Sequence, residues 1–255
     1  LFSAGQFNGS SGYEEAAAQG IIAGINAARK MEGKPPVILR RDEAYIGVLI
    51  DDLVTKGTNE PYRMMTARAE YRLSLRQDNA DARLTPLGRE LGLVSDYRWE
   101  KYLARNAKKD ALRTAFKRSV SLSTVREIYA SKGETANGGM SVEEMLKRSF
   151  ISLADILPLL PAELQDADLA EEVAVEVKYA GYLEKERRHA ADYQRMEERL
   201  LPEKIDYFAM ENLRLEARQK LDKVRPRTLG QASRISGVSP ADIAVLITYL
   251  VKTQG

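Results

Sequence analysis

Apolar positions along the chain repeat with more than one period, and the changes of period mark the elements. Residues 1–5, LFSAG, form an apolar run that predicts a short buried strand. GQFNGSSG at 5–12 follows, three glycines among small polar residues. It predicts a turn that brings backbone close to another group. From 13 to about 30 the pattern is helical, with Glu14 and Glu15 in the first turn, where the helix dipole favours acids. Gly12, Ala16, Gly20 and Gly24 recur every four residues and make a smooth stripe. Glycine inside a helix costs up to roughly 1 kcal/mol relative to alanine, so the stripe implies close packing of another backbone element.

KPP at 34–36 stops that helix. Residues 45–54 are apolar around the pair Asp51–Asp52, and 56–61 read as a turn. YRLSLR at 71–76 alternates with period two, which predicts a half-buried strand with Tyr71, Leu73 and Leu75 on one face and Arg72, Ser74 and Arg76 on the other. With Arg63, Arg68 and Arg83 nearby in sequence, these guanidinium groups suit a clamp for phosphate or carboxylate. They suit equally an ion-pair network with Asp51, Asp52, Glu60, Glu70, Asp78 and Asp81.

Thr85-Pro86 predicts the start of a short helix ending near Gly92. A long basic helix follows at 96–118, with the single tryptophan, Trp99, placed either in a core or as a stacking platform. Another helix is expected at 121–130. SKGETANGG at 131–139 is the most loop-like stretch, where a subdomain boundary is expected. Ser141 with Glu144 reads as a capping box, and 152–161 as an apolar turn region. Residues 171–200 predict the longest helix, with a seam through Val175, Tyr179, Tyr182, Glu186, His189, Tyr193, Met196 and Leu200. His189 is then a packing or surface residue, and Glu186 marks an opening or a polar partner. Further helices are expected at 206–222 and 228–235, then a turn at 236–238 and a helix capped by Ser239 with Pro240 at its first position. The last two resemble a helix-turn-helix, and Lys223, Arg225, Arg227 and Arg234 around them suit sugar-phosphate contacts.

Composition narrows the chemistry. The 255 residues are 44% hydrophobic and 30% charged, enough for one sizeable domain or two modest ones. No cysteine and one histidine exclude thiolate sites, a cysteine nucleophile and a histidine-rich zinc site within these residues. No metal site is expected. The net charge of +2 hides a pattern: 98–118 carry eight basic and two acidic residues, 211–234 seven and three, and 162–200 six and eleven. Basic zones flanking an acidic helix fit a polyanion surface beside a protein-facing element, as well as ordinary solvated faces. No run reaches 18 apolar residues and no leader pattern opens the chain, so no membrane span is expected and the cytoplasm is the default location. Neither GxGxxG nor GxxxxGK[ST] is present, so a nucleotide at the first turn would be gripped mainly by residues upstream of Leu1. The missing initiator methionine and the apolar start suggest part of a longer chain.

AGQFNGSSGYEEAAAQG at 4–20, AYIGVLIDDLVTKGTNEPYRMMTARAEYRLSLRQDNADARLT at 44–85, VEVKYAGYL at 175–183 and TLGQASRISGVSPADIAVLITYL at 228–250 together resemble the glucose-inhibited division protein A family. That family is the flavoprotein side of the bacterial machinery that modifies the tRNA wobble uridine. The resemblance implies a mostly α fold. A remnant of a glutathione-reductase-like α/β FAD-binding domain is expected at 1–95, and a helical region that binds tRNA and a protein partner at 96–255. It implies FAD as cofactor, NADH as reductant and methylenetetrahydrofolate as carbon donor, for adding a carboxymethylaminomethyl or aminomethyl group to uridine C5. A tRNA-modification GTPase is the implied partner, and the intact protein is expected to be a homodimer. Carried over by position, Gln6, Gly12 and Tyr13 fall on the flavin side. Arg63, Arg72 and Arg76, with Arg227 and Arg234 in the tail, fall on the substrate or RNA side. The family's reactive cysteines are expected upstream of Leu1, so no catalytic residue is expected here and the chain alone should not turn over. An RNA-binding module and a protein-interaction scaffold are the competing readings of the isolated chain.

Overall fold

The structure is a computed structural model and describes residues 1–58 and 60–254. Among these residues it is mostly helical: α1 Tyr13–Met31, α2 Tyr45–Thr55, α3 Ala80–Glu90, α4 Asp96–Phe116, α5 Leu122–Ser131, α6 Val142–Leu146, α7 Leu153–Ile156, α8 Ala167–Lys178, α9 Ala180–Glu198, α10 Leu215–Val224, α11 Leu229–Arg234 and α12 Pro240–Gln254. The described sheet is one antiparallel pair, β1 Ser119–Val120 and β2 Met140–Ser141, with Ser119 opposite Ser141 and Val120 opposite Met140. The chain forms two compact units, Arg76–Glu184 and a second made from its two ends, Leu1–Leu75 with Lys185–Gly255. This division cuts across the sequence division at residue 95.

The 76–184 unit is built on apolar burial. Leu112 and Phe116 of α4, Val125 and Tyr129 of α5, Met145 and Leu146 of α6, Ile156 of α7 and Val173 of α8 close into one cluster. Its helices start where short polar side chains can take the orphan amides of the first turn. Ser95 accepts from the Arg98 amide, Ser121 from Thr124 and Asp166 from Leu169. Ser141 with Glu144, and Ser152 with Asp155, form reciprocal boxes. Lys132 and the Ser152 hydroxyl and amide hold the Asp155 carboxyl down at about 2. Buried Lys109 bonds Glu172, which also takes Arg105. The loop at 131–139 lies inside this unit, with Ala136 in its core.

The end-to-end unit has a charged interior beside its apolar ones. Arg41 is 8% exposed and reaches Asp51 at 2.9 Å, Asp52 at 2.7 Å and Glu70 at 2.8 Å. Asp52 also takes Lys56 and the Tyr62 hydroxyl, both at 2.8 Å. Burial would raise the Asp52 carboxyl, but Lys56, Tyr62 and Arg41 outweigh it and hold the group below its ordinary value. Asp51 passes the network on to Arg234 at 2.8 Å, and Arg234 in turn holds Glu197. The final helices pack a separate apolar cluster through Tyr207, Leu213, Leu221, Leu229 and Leu246.

Several sequence expectations are corrected. Residues 1–4 carry no strand, and Leu1 and Phe2 are exposed. An apolar run needs a neighbouring edge to become a strand, and the described residues supply none. Residues 71–75 form a turn in which the Ser74 and Leu75 amides return to Tyr71 O. Buried Tyr71 and Leu75 are four apart, a spacing that the alternating pattern also contains. The fixing group is Glu186, whose carboxylate accepts the Leu73 and Ser74 amides at 3.3 and 2.8 Å and the Ser74 hydroxyl. α3 starts before Thr85, leaving Pro86 inside the helix. The helix expected over 171–200 breaks at Tyr179, so α4 is the longest. Tyr179, Tyr182, His189, Tyr193 and Leu200 of its expected seam are exposed. The helix expected over 206–222 begins only at Leu215, and the glycine stripe of α1 is closely packed at its start alone: a Cβ at Gly12 would meet Arg63 Nη1 at 2.3 Å, whereas one at Gly24 would meet nothing within 4 Å.

Candidate functional site

The glycine-rich turn and the start of α1 form the first candidate site. Residues Gly5–Asn8 make one turn of 3-10 helix, closed by Gly9 at φ 71°, a left-handed conformation that suits glycine. Buried Gln19 clips this turn onto α1: its carbonyl accepts from the Gly5 amide at 2.7 Å and its amide donates to the Ser10 hydroxyl at 3.0 Å. The Tyr62 amide donates to Gly9 O at 2.7 Å, which brings the 62–64 segment alongside. Glu15, 2% exposed, then accepts from the Met64 amide at 2.8 Å, and Arg63 lies 2.9 Å from Glu14 and 3.7 Å from Glu15. Burial opposes the charge on Glu15, but the Met64 amide and Arg63 hold its carboxyl below the ordinary value. Its second oxygen is buried without a partner.

Gly12 is the cap of α1 and has no side chain to take the first amides of the helix. A Cβ there would stand 1.8 Å from Glu15 Oε2 and 2.3 Å from Arg63 Nη1, so the position is closed to larger residues unless both side chains move. Gln6 and Tyr13 point outward and are exposed. The structure thus gathers Gln6, Gly12, Tyr13 and Arg63 around one helix start. An exposed carboxamide and an exposed phenol at this helix start can hydrogen-bond a hydroxyl-bearing group.

The other predicted site residues lie elsewhere. Arg72 is exposed in the 71–75 turn, whereas Arg76 belongs to the other unit and is bidentate on Asp78 at 2.9 Å. Arg234 is 11% exposed and locked between Asp51 and Glu197. Arg227 is exposed between the last helices, and its backbone amide donates to Gln231. Sequence reasoning read Glu15 only as a dipole-favoured acid. Its spacing of three from Gly12 was the available sign that it folds back over the cap. Gln19 and Tyr207 gave no sign at all, because their roles depend on segments distant in sequence.

Among the described residues no helix is long and apolar enough to cross a membrane, and no His/Cys/Asp/Glu group could hold a metal ion. Comparison with known proteins gives a consistent result. Residues 96–187 match the tRNA modifying enzyme MnmG/GidA C-terminal helical domain, 189–255 the MnmG/GidA C-terminal helical bundle, and 1–35 glucose inhibited division protein A. The tRNA uridine 5-carboxymethylaminomethyl modification enzyme MnmG of Clostridium kluyveri is 53% identical over 99% of the chain, and that of Pediococcus pentosaceus 51% over 98%. The chain spans 41% and 40% of those two relatives. The crystal structure of Aquifex aeolicus GidA (form II) superposes with a TM-score of 0.77 at 44% identity, covering 98% of this chain and 40% of that one. With three matches to one family in chain order and the fold shared, the chain belongs to the glucose-inhibited division protein A family.

Proposed function

We propose that this chain is the flavin-adjacent and RNA-facing part of a cytoplasmic enzyme that modifies C5 of the tRNA wobble uridine. The observation that carries the reading is the near-complete, roughly half-identical match to proteins named for 5-carboxymethylaminomethyl modification of tRNA uridine. When bound, FAD supplies electron transfer, with NADH as reductant and methylenetetrahydrofolate as source of the added carbon. The chain's own residues position and shield. Gln6 offers donor and acceptor to a hydroxyl-rich chain, Gly12 lets Glu15 and Arg63 close over the helix start and fix it, and Tyr13 flanks it. The matching shell and the reactive cysteines belong to the rest of the enzyme.

On the RNA side, Arg72 and Arg227 are exposed guanidinium groups in position to meet phosphate. Arg63, Arg76 and Arg234 are held by carboxylates, so their charge is largely spent inside the protein and their chief effect is to shape the surface. The exposed tyrosines Tyr182 and Tyr193 of α9 support a protein-facing role for that helix, toward a tRNA-modification GTPase or a second copy in a homodimer.

The test is the full-length protein carrying Gln6→Ala or Gly12→Val. Gln6 is exposed, so its truncation leaves folding intact; FAD retention should fall several-fold, and with it the modified nucleoside measured by mass spectrometry of hydrolysed tRNA. Gly12→Val should lose both more completely. Unchanged FAD content in both variants would remove this turn from the flavin site.

A further inference from the structure

Away from the glycine-rich turn, the C-terminal portion holds a cavity of about 330 Å³, lined by residues of 200–207 and 225–227. Two backbone bonds pair the segments that form it, from the Leu201 amide to Arg227 O and from the Leu229 amide to Arg199 O, both 2.9 Å. Arg225 ends α10 at φ 51°, ψ 57°, the only residue other than glycine with positive φ among those described. A long side chain in the left-handed region persists only where the surroundings hold it. Here its guanidinium bonds Ile205 O at 2.9 Å, Asp222 O at 3.0 Å and the Asp222 carboxylate, and lies over the Tyr207 ring. This anchored bend sets Pro226 and Arg227 on the cavity wall.

Three features are left unspent. Tyr207 lines the cavity, is 1% exposed, and its hydroxyl has no hydrogen-bond partner. Burial pushes that phenol up to about 12, so it stays a neutral donor at working pH. Arg227 is exposed, and Leu200 on the same wall keeps 64% of its surface in water. We infer that this cavity binds one nucleotide of an RNA strand, with the phosphate on Arg227, the base against Leu200 and Pro202, and the Tyr207 hydroxyl reaching a base acceptor. The inference rests on the reading that the protein acts on RNA.

Each part of a nucleotide has its counterpart. The volume is at the small end of the range for small-molecule sites, roughly 300–1,000 Å³, and exceeds what a bare phosphate needs. Leucine and proline offer apolar surface against which a base can pack, and guanidinium is suited to a phosphodiester. Glu203 at the wall repels a second carboxylate but can accept from an exocyclic amine or a ribose hydroxyl, which favours a nucleotide over an acidic peptide.

The experiment titrates the full-length protein with 5′-UMP, 5′-AMP, inorganic phosphate and an aspartate-rich peptide, beside intact tRNA, for wild type, Arg227→Gln and Tyr207→Phe. Removing an unpartnered hydroxyl leaves the packing of Tyr207 in place, so Tyr207→Phe keeps the fold and isolates the hydroxyl. The expected result is that a nucleotide binds more tightly than phosphate, that Arg227→Gln weakens it about tenfold and that Tyr207→Phe weakens it several-fold. Phosphate binding as tightly as nucleotide, peptide binding in preference to nucleotide, or nucleotide binding unaffected by both variants overturns the inference. If tRNA binds while both variants leave nucleotide binding unchanged, the cavity falls and the RNA reading stands. If nucleotide binds as expected and tRNA does not, the RNA reading falls and the inference falls with it, leaving only a site for a free nucleotide.

Discussion

The two compact units are stabilised by different means. The 76–184 unit closes around Phe116, Leu112, Val125 and Met145, all fully buried, and starts its helices with side-chain caps. Among the described residues, the 1–75 part of the other unit has a small buried apolar cluster, Val48, Ala69, Tyr71 and Leu75. It relies on Arg41 and Asp52, and it leaves Phe7, Tyr13, Ile21, Met31 and Ile38 facing water. Apolar burial is non-directional and tolerates small adjustments, whereas a buried ion-pair network is worth most when every partner is present. The first unit should therefore answer to lost volume, and the 1–75 part of the second to lost charge.

The largest effect is expected from Phe116→Ala, which should remove about 4 kcal/mol from the 76–184 unit. Trp99 lies in that unit, so its fluorescence during urea unfolding reports the loss. An unchanged midpoint would mean that the apolar cluster is not what holds this unit.

Asp52→Asn should cost about 3 kcal/mol and act on the other unit, because Arg41 and Lys56 lose a buried counter-charge. Amide hydrogen exchange at 45–75 should speed up while that of α4 stays constant. The same group gives a sign for pH. Its folded carboxyl lies below the ordinary value, so its stabilisation is fully present above about pH 4 and is lost as pH falls through the depressed value. The wild-type exchange difference between the units should widen on acidification, and the Asn variant should lack the Asp52 share of that change.

The smallest effect tests a cap. Ser141→Ala removes the hydroxyl that accepts the Glu144 amide and should cost about 1 kcal/mol, read again by Trp99. A cost equal to that of Phe116→Ala would place far more of the unit's stability in α6 than its single turn of caps can supply.

What the sequence revealed follows the same contrast. The caps at Ser141 and Ser239, the extent of α1 and the basic α4 were all legible, since each depends on neighbours within a few residues. The misread stretches depend on distant ones. YRLSLR became a turn because Glu186, more than a hundred positions away, takes its amides, and periodicity does not carry that information. At the candidate site, the motif resemblance brought attention to Gln6, Gly12 and Tyr13. The fold-back of Glu15 and the clip by Gln19 arise from pairing with residues 62–64 and the 5–10 turn. Among the arginines, the choice between clamp and ion pair was undecidable from composition, because it turns on which acids fold within reach.

The bond from Asp51 to Arg234 also sets an order of events at the ribosome. The 76–184 stretch holds all the apolar partners it needs and can close while the tail is still being made. Residues 1–75, although made before that stretch, must wait with an incomplete charge network until Arg234 emerges. Their window for capture by chaperones or proteases stays open while residues 76–233 are made, and it closes only with the final helices.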